Sequence, residues 1–335
     1  MPQPLPPKEN ALFKSIVKHY ETKQYKKGLK ASDLVLKKHP DHGETLAMRG
    51  LILNCLDRKA EAYEHVKRGL SKDIRSHVCW HVFGLVHRSD RDYKEAVKCY
   101  RNALRIEPDN GQILRDLSLL QVQLRDRAGY LETRHSLLRL KPNQRMNWVG
   151  IALANHLLGR HRRAYDVLVA YEKTLDKADI DSKYEHSEML LYKVELLRDG
   201  GACEEAAAVL ADADAMLVDR TSVKELRAEL ALEREQYAEA AAAFRELLDA
   251  NPENYGYHAG VQVAHLGRPL PPRAERAGRA PHAYGATRLR RPSYAHLSAE
   301  ERARLLELYA ELQAAHPKAL APKRIPLDVL CLDAA

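Results

Sequence analysis

The chain has 335 residues, 45% of them apolar and 30% charged, and a formal net charge of +8. Its five cysteines, Cys55, Cys79, Cys99, Cys203 and Cys331, are scattered and odd in number, which argues against a disulfide framework and suits a reducing compartment. No apolar stretch approaches the roughly twenty residues that span a bilayer, and "MPQPLPPKEN" lacks a charged-then-apolar leader, so a soluble protein of the cytosol or nucleus with no membrane partner is expected.

From the N-terminus, five units of 34 residues share one frame, beginning at Glu9, Gly43, His77, Gly111 and Arg145. The first sets Leu12, Ile16, Gly28 and Pro40 in register, with Ser32 where a large side chain is usual, and the second Leu46, Gly50, Ala62 and Val66. The third shows the pattern best. Trp80, Phe83, Gly84 and His87, then Ala96, Tyr100 and Ala103, then Pro108, trace W-x-x-L-G-x-x-Y, A-x-x-x-F-x-x-A and P, the tetratricopeptide signature. Gly84 and Ala96 let two antiparallel helices approach, Tyr100 fills the space beside them, and Pro108 ends the second helix. The fourth unit has Leu114, Leu117, Ser118 and Pro142, and the fifth Trp148, Ile151, Ala152, Ala164 and Leu168.

The frame slips by about eight residues around "LDKADIDSKYEH", a polar connector. It resumes at Ser187 with Leu190, Val194, Ala206 and Leu210, and at Thr221 with Ala228, Ala240, Phe244, Leu247 and Pro252. One hairpin cannot bury its apolar face without neighbours, so the expected fold is all-α, a tetratricopeptide right-handed superhelical solenoid over 9–178 and 187–254. Residues 255–297 read as a degenerate repeat and a Pro/Arg/Gly-rich linker. A cap at Ser298 and a capping box with Glu301 start an amphipathic helix carrying Leu305, Leu308, Tyr309 and Leu312, and a Pro-rich tail closes the 298–330 segment.

Two cysteines and three histidines within His77–Asp109 raise the question of a metal. Cys79 and His81 fall on different sides of a helix, and His87 and Cys99 form no second close pair, so no metal site is expected. The sequence has no G-x-x-x-x-G-K-[ST], G-x-S-x-G or H-E-x-x-H. The nearest approach to an acyl-CoA turn, "RDGGAC" at Arg198, breaks at Cys203. Neither catalysis by this chain nor a cofactor is expected. The groove lined by the first helices is largely apolar, with Phe13, Val17, Ala47, Leu51, His81 and Leu85, and takes its charge from Arg88 and Arg115. Such a lining suits a helix or apolar segment of a partner, and inter-repeat contacts are an equal reading for His81, Arg88 and Arg115.

Charge is distributed in zones. Between Lys8 and Lys38 nine lysines face three acids, whereas Asp199 to Asn254 holds fourteen acids against five bases. Lys23, Lys27, Lys30 and Lys37 recur at spacings of four, three and seven and are expected on one face of the second helix. A solvated face accounts for most such runs. The sharper reading is contact with nucleic-acid phosphates without base readout, since this repeat has no Arg, and DNA is not an expected partner.

"LPPKENALFK", "HGETLAMRGLILNCL", "SHVCWHVFGLVHRSDRDYKEAVKCYRNALR", "QILRDLSLLQVQLRD" and "LLYKVELLRDGG" resemble the N-terminal half of the auxiliary, ribosome-anchoring subunits of the NatA N-terminal acetyltransferase. The resemblance covers roughly residues 5 to 255, and "HPKALAPKRIPLDVL" is similar to the segment that follows the repeats in that family. It implies a non-catalytic cytoplasmic scaffold that wraps a catalytic acetyltransferase subunit and holds it at the ribosome. It makes Lys14, Lys18, Lys23, Lys26, Lys27, Lys30 and Lys37 candidates for contact with rRNA. Family members are more than twice this length, and the Ala/Arg/Pro-rich stretch replaces helices expected after Tyr255. The alternative is a tetratricopeptide adaptor for another protein partner, with or without affinity for the ribosome.

Overall fold

The computed structural model describes residues 5–175, 183–268, 294 and 297–330. The polar connector lies mostly outside them, as do the linker after Arg268, apart from Tyr294, and Cys331. Among the described residues the regular structure is helical throughout, with no strand. Two compact units divide the chain, Met1–Gly159 and Arg160–Ala335.

The first unit runs α1 (Pro7–Glu21), α2 (Tyr25–Lys38), α3 (Gly43–Cys55), α4 (Lys59–Lys72), α5 (His77–Ser89), α6 (Tyr93–Ile106), α7 (Gly111–Gln123), α8 (Arg127–Leu140) and α9 (Arg145–Leu157). Short polar side chains start several of these helices by accepting from orphan backbone amides: Ser76 from Cys79, Asn110 from Gln112 and Ile113, Asp92 from Glu95, Asp126 from Gly129. A residue in the left-handed region ends each first helix. Lys23, Asp57, Arg91, Arg125 and Gly159 all have φ between 57° and 71°, each 34 residues after the last. The next amide closes back over five residues, as Asp92 does to the His87 carbonyl.

The third hairpin packs as its sequence suggests. Ala96, Tyr100 and Ala103 are fully buried, and a Cβ on Gly84 would fall within the Tyr100 ring, so the glycine sets how closely α5 and α6 approach. Trp80 and Trp148, two periods apart, each donate an indole N–H to the carbonyl six residues earlier, on Ile74 and Pro142. Each bond ties a first helix to the loop that delivers it.

The second unit runs α10 (His161–Glu172), α11 (Lys183–Asp199), α12 (Cys203–Ala213), α13 (Arg220–Glu233), α14 (Tyr237–Ala250), α15 (Tyr255–Leu266), α16 (Ala299–Ala315) and α17 (Ala321–Leu330). Left-handed residues recur at Gly201, Glu235 and Gly267. Although the sequence pattern fades beyond Tyr255, α15 is a capped helix. Asn254 accepts from Gly256 and Tyr257, and Gly260 lies against the Phe244 ring as Gly84 does against Tyr100. Then α16 packs on α15, with Gln262 donating to the Tyr309 hydroxyl at 2.6 Å and accepting from that of Tyr294 at 3.2 Å. The capping box of Ser298 with Glu301 is present.

The expected Pro-rich tail is instead the helix α17. Pro322 sits in its first turn, where a missing N–H costs little. Pro326 deprives the Pro322 carbonyl of its usual donor, and the Gln313 side chain of α16 donates to that carbonyl at 3.0 Å. Glu253 caps the start of the helix through the amides of Leu320 and Ala321.

Candidate interaction surfaces

Two of the three groove residues foreseen from the sequence converge on a residue that was not, and the third bonds to its neighbour. His81 Nε2 lies 3.0 Å from Asp116 Oδ2, and Arg88 donates to Asp116 Oδ1 at 2.9 Å. Gln112 also donates to Asp116, and Arg115 donates to the Gln112 side-chain oxygen at 2.9 Å. The clamp thus joins α5 to α7. Burial pushes the Asp116 carboxyl up, but the hydrogen bond and charge of His81 and the charge of Arg88 outweigh it and hold it below the usual carboxylate range.

The same position recurs as a link between first helices. Asn54, the twelfth residue of its unit, donates to Ser89, the twelfth residue Arg88 reaches Asp116, and the twelfth residue Arg198 binds Glu229 and Glu233. Arg198 is almost fully buried. Burial works against its charge, yet the surrounding glutamates raise its affinity for the proton. The residue that opens "RDGGAC" is therefore part of an internal ion cluster, and its guanidinium is committed to carboxylates.

Cys79 and Cys99 are buried, and burial pushes both thiols up to about 12. The Cys79 thiol faces the Gly69 carbonyl, whereas His81 serves Asp116 and His87 packs against Tyr63 and Phe83.

Lys14 and Lys18 sit one turn apart on α1, and Lys26, Lys27, Lys30 and Lys37 on α2, all exposed. Lys23 does not belong to the second helix, contrary to its spacing. It occupies the left-handed turn before α2 with φ 58°, because the first helix must end there. Lys26, Lys30 and Lys37, at steps of four and seven, share the α2 face instead. Two of the three local acids are engaged elsewhere, Glu9 with Lys38 at 2.8 Å and Asp33 with Arg49. Among the described residues none of the seven candidate lysines has a carboxylate partner, so the surface keeps its positive potential.

Comparison with known proteins fits these features. Residues 184–334 match the family model described as N-terminal acetyltransferase A, auxiliary subunit, and residues 12–248 that of the Psidin N-terminal TPR repeats region. Over 328 residues the chain is 50% identical to the N-terminal acetyltransferase A complex auxiliary subunit NAA15 of Arabidopsis thaliana. It is 43% identical over the same length to the N-alpha-acetyltransferase 16, NatA auxiliary subunit, of Homo sapiens. Both alignments cover 97% of this chain and 34% of the relative, so the chain spans about a third of their length. A solved structure described as Naa15/Naa10 bound to HypK-THB matches with a TM-score of 0.76 at 38% identity, over 96% of this chain and 44% of that one.

Proposed function

Because the chain belongs to the family of N-terminal acetyltransferase A auxiliary subunits, we propose that it is a non-catalytic scaffold that binds a catalytic acetyltransferase subunit and carries it to the ribosome. The observation that carries the first part is the likeness, over 96% of this chain, to a protein solved with Naa10. The second part draws on the lysines of α1 and α2, a surface without acid partners that suits the rRNA backbone. Work beside translating ribosomes sets the scaffold in the cytoplasm.

The test is a pull-down with this chain from cell extract at two salt concentrations, with and without RNase, scoring the catalytic subunit and ribosomal proteins. Recovery of the acetyltransferase after RNase supports the scaffold. Ribosomes alone, lost at higher salt, leave an anchor without its enzyme. Recovery of neither favours the adaptor.

A further inference from the structure

The first helices of repeats three to five carry an unused surface. Leu85, Leu119 and Leu153 stand 34 residues apart at the ninth position of their units. Leu119 is 62% exposed and Leu153 40%, whereas the equivalent Leu51 is 3% exposed. Val122 lies one turn beyond Leu119 on α7, and Met146 two turns before Leu153 on α9, and both are exposed. These positions extend the groove face on which Arg115 and Arg88 lie.

The charge around this lane has one sign. Neither α5 nor α9 contains an acid, and the single acid of α7, Asp116, is buried and shared between His81 and Arg88. Arg115 is exposed and bonded to a neutral amide, with no carboxylate partner among the described residues. The walls are helices whose backbone groups are satisfied internally, so no strand edge is available to pair with an extended peptide. A helical partner brings its own backbone bonds and can bury apolar side chains without that cost.

We propose that this groove docks an acidic amphipathic helix of a further protein, with apolar residues at i, i+3, i+4 and i+7 over Leu119, Val122, Met146 and Leu153, and carboxylates toward Arg115. The surface is separate from the lysine face of α1 and α2.

The test uses the full chain and a fluorescent helical peptide of about eighteen residues, five turns, with a Leu stripe flanked by Glu, beside a twin flanked by Lys. Saturable binding of the Glu peptide, at least about tenfold tighter than the twin, is expected. Leu119→Asp with Leu153→Asp should weaken it by a further factor of about ten or more, and Arg115→Glu should remove the preference for Glu. Both leucines are exposed, so folding is retained, as a thermal melt verifies. Equal binding of the two peptides, binding indifferent to the leucine changes, or no saturation would each overturn the proposal. Neither ribosome nor acetyltransferase is present, so the outcome is independent of the scaffold reading.

Discussion

Arg88 on α5 holds Asp116 on α7 at 2.9 Å, and the same buried carboxylate takes His81 at 3.0 Å, so one acid fastens two successive first helices. Asp116→Asn should therefore lower stability by about 2 kcal/mol, the scale of hydrogen bonds to charged groups. The carboxyl is held below its ordinary value, so its contribution is present above an unfolded pKa of about 3.9 and is lost as pH falls through the folded value. Denaturant melts from pH 6 downward should show the wild type converging on the variant. A gap that persists at the lowest pH would refute this account.

The Tyr100 hydroxyl is buried without a hydrogen-bond partner among the described residues, at the position where the repeat signature favours Phe. Tyr100→Phe should raise stability by about 1 kcal/mol, since it removes a desolvated polar group and keeps the ring that Gly84 accommodates. Destabilisation of that size in chemical denaturation would mean that the hydroxyl is satisfied.

Left-handed backbone is costly for any residue with a Cβ. Arg91 and Arg125 adopt it, whereas the equivalent position in the fifth repeat is Gly159. Arg91→Gly and Arg125→Gly should each stabilise by about 0.5 kcal/mol, the left-handed strain relieved less the extra entropy that glycine loses on folding. Gly159→Arg should do the reverse, as a shift in melting temperature.

Gln313 and Pro326 should be coupled. Gln313→Leu leaves the Pro322 carbonyl without its side-chain donor and should cost about 1 kcal/mol. Pro326→Ala restores the backbone N–H, so Gln313→Leu in that background should cost almost nothing. A double-mutant cycle that sums without interaction would show that the bond has no energetic role.

For the lysine face, each residue that neutralises an rRNA phosphate adds to the salt dependence of ribosome binding. Lys26→Ala, Lys30→Ala and Lys37→Ala together should flatten the slope of log affinity against log salt by about two to three units. An unchanged slope would remove these residues from the interface.

Gly84, Ala96, Tyr100 and Pro108 made the repeat legible, because a close helix crossing demands small residues opposite a large one at fixed spacing. The helix beyond Tyr255 was hidden because Gly260 and Phe244 keep that crossing after the rest of the signature is gone. The last helix was masked by two prolines, one harmless in a first turn and one compensated by the Gln313 side chain of α16. Charge spacing revealed the lysines but assigned Lys23 to a helix that begins after it. Asp116 carried no signal in one dimension, since its ionisable partners His81 and Arg88 come from a different helix, and its importance is visible only when α5 and α7 are side by side.

The guanidinium of Arg268, just past the left-handed Gly267, grips Glu301 at 2.6 Å, although 33 positions separate them along the chain. The end of α15 and the first turn of α16 are therefore latched to each other by charge as well as by apolar packing.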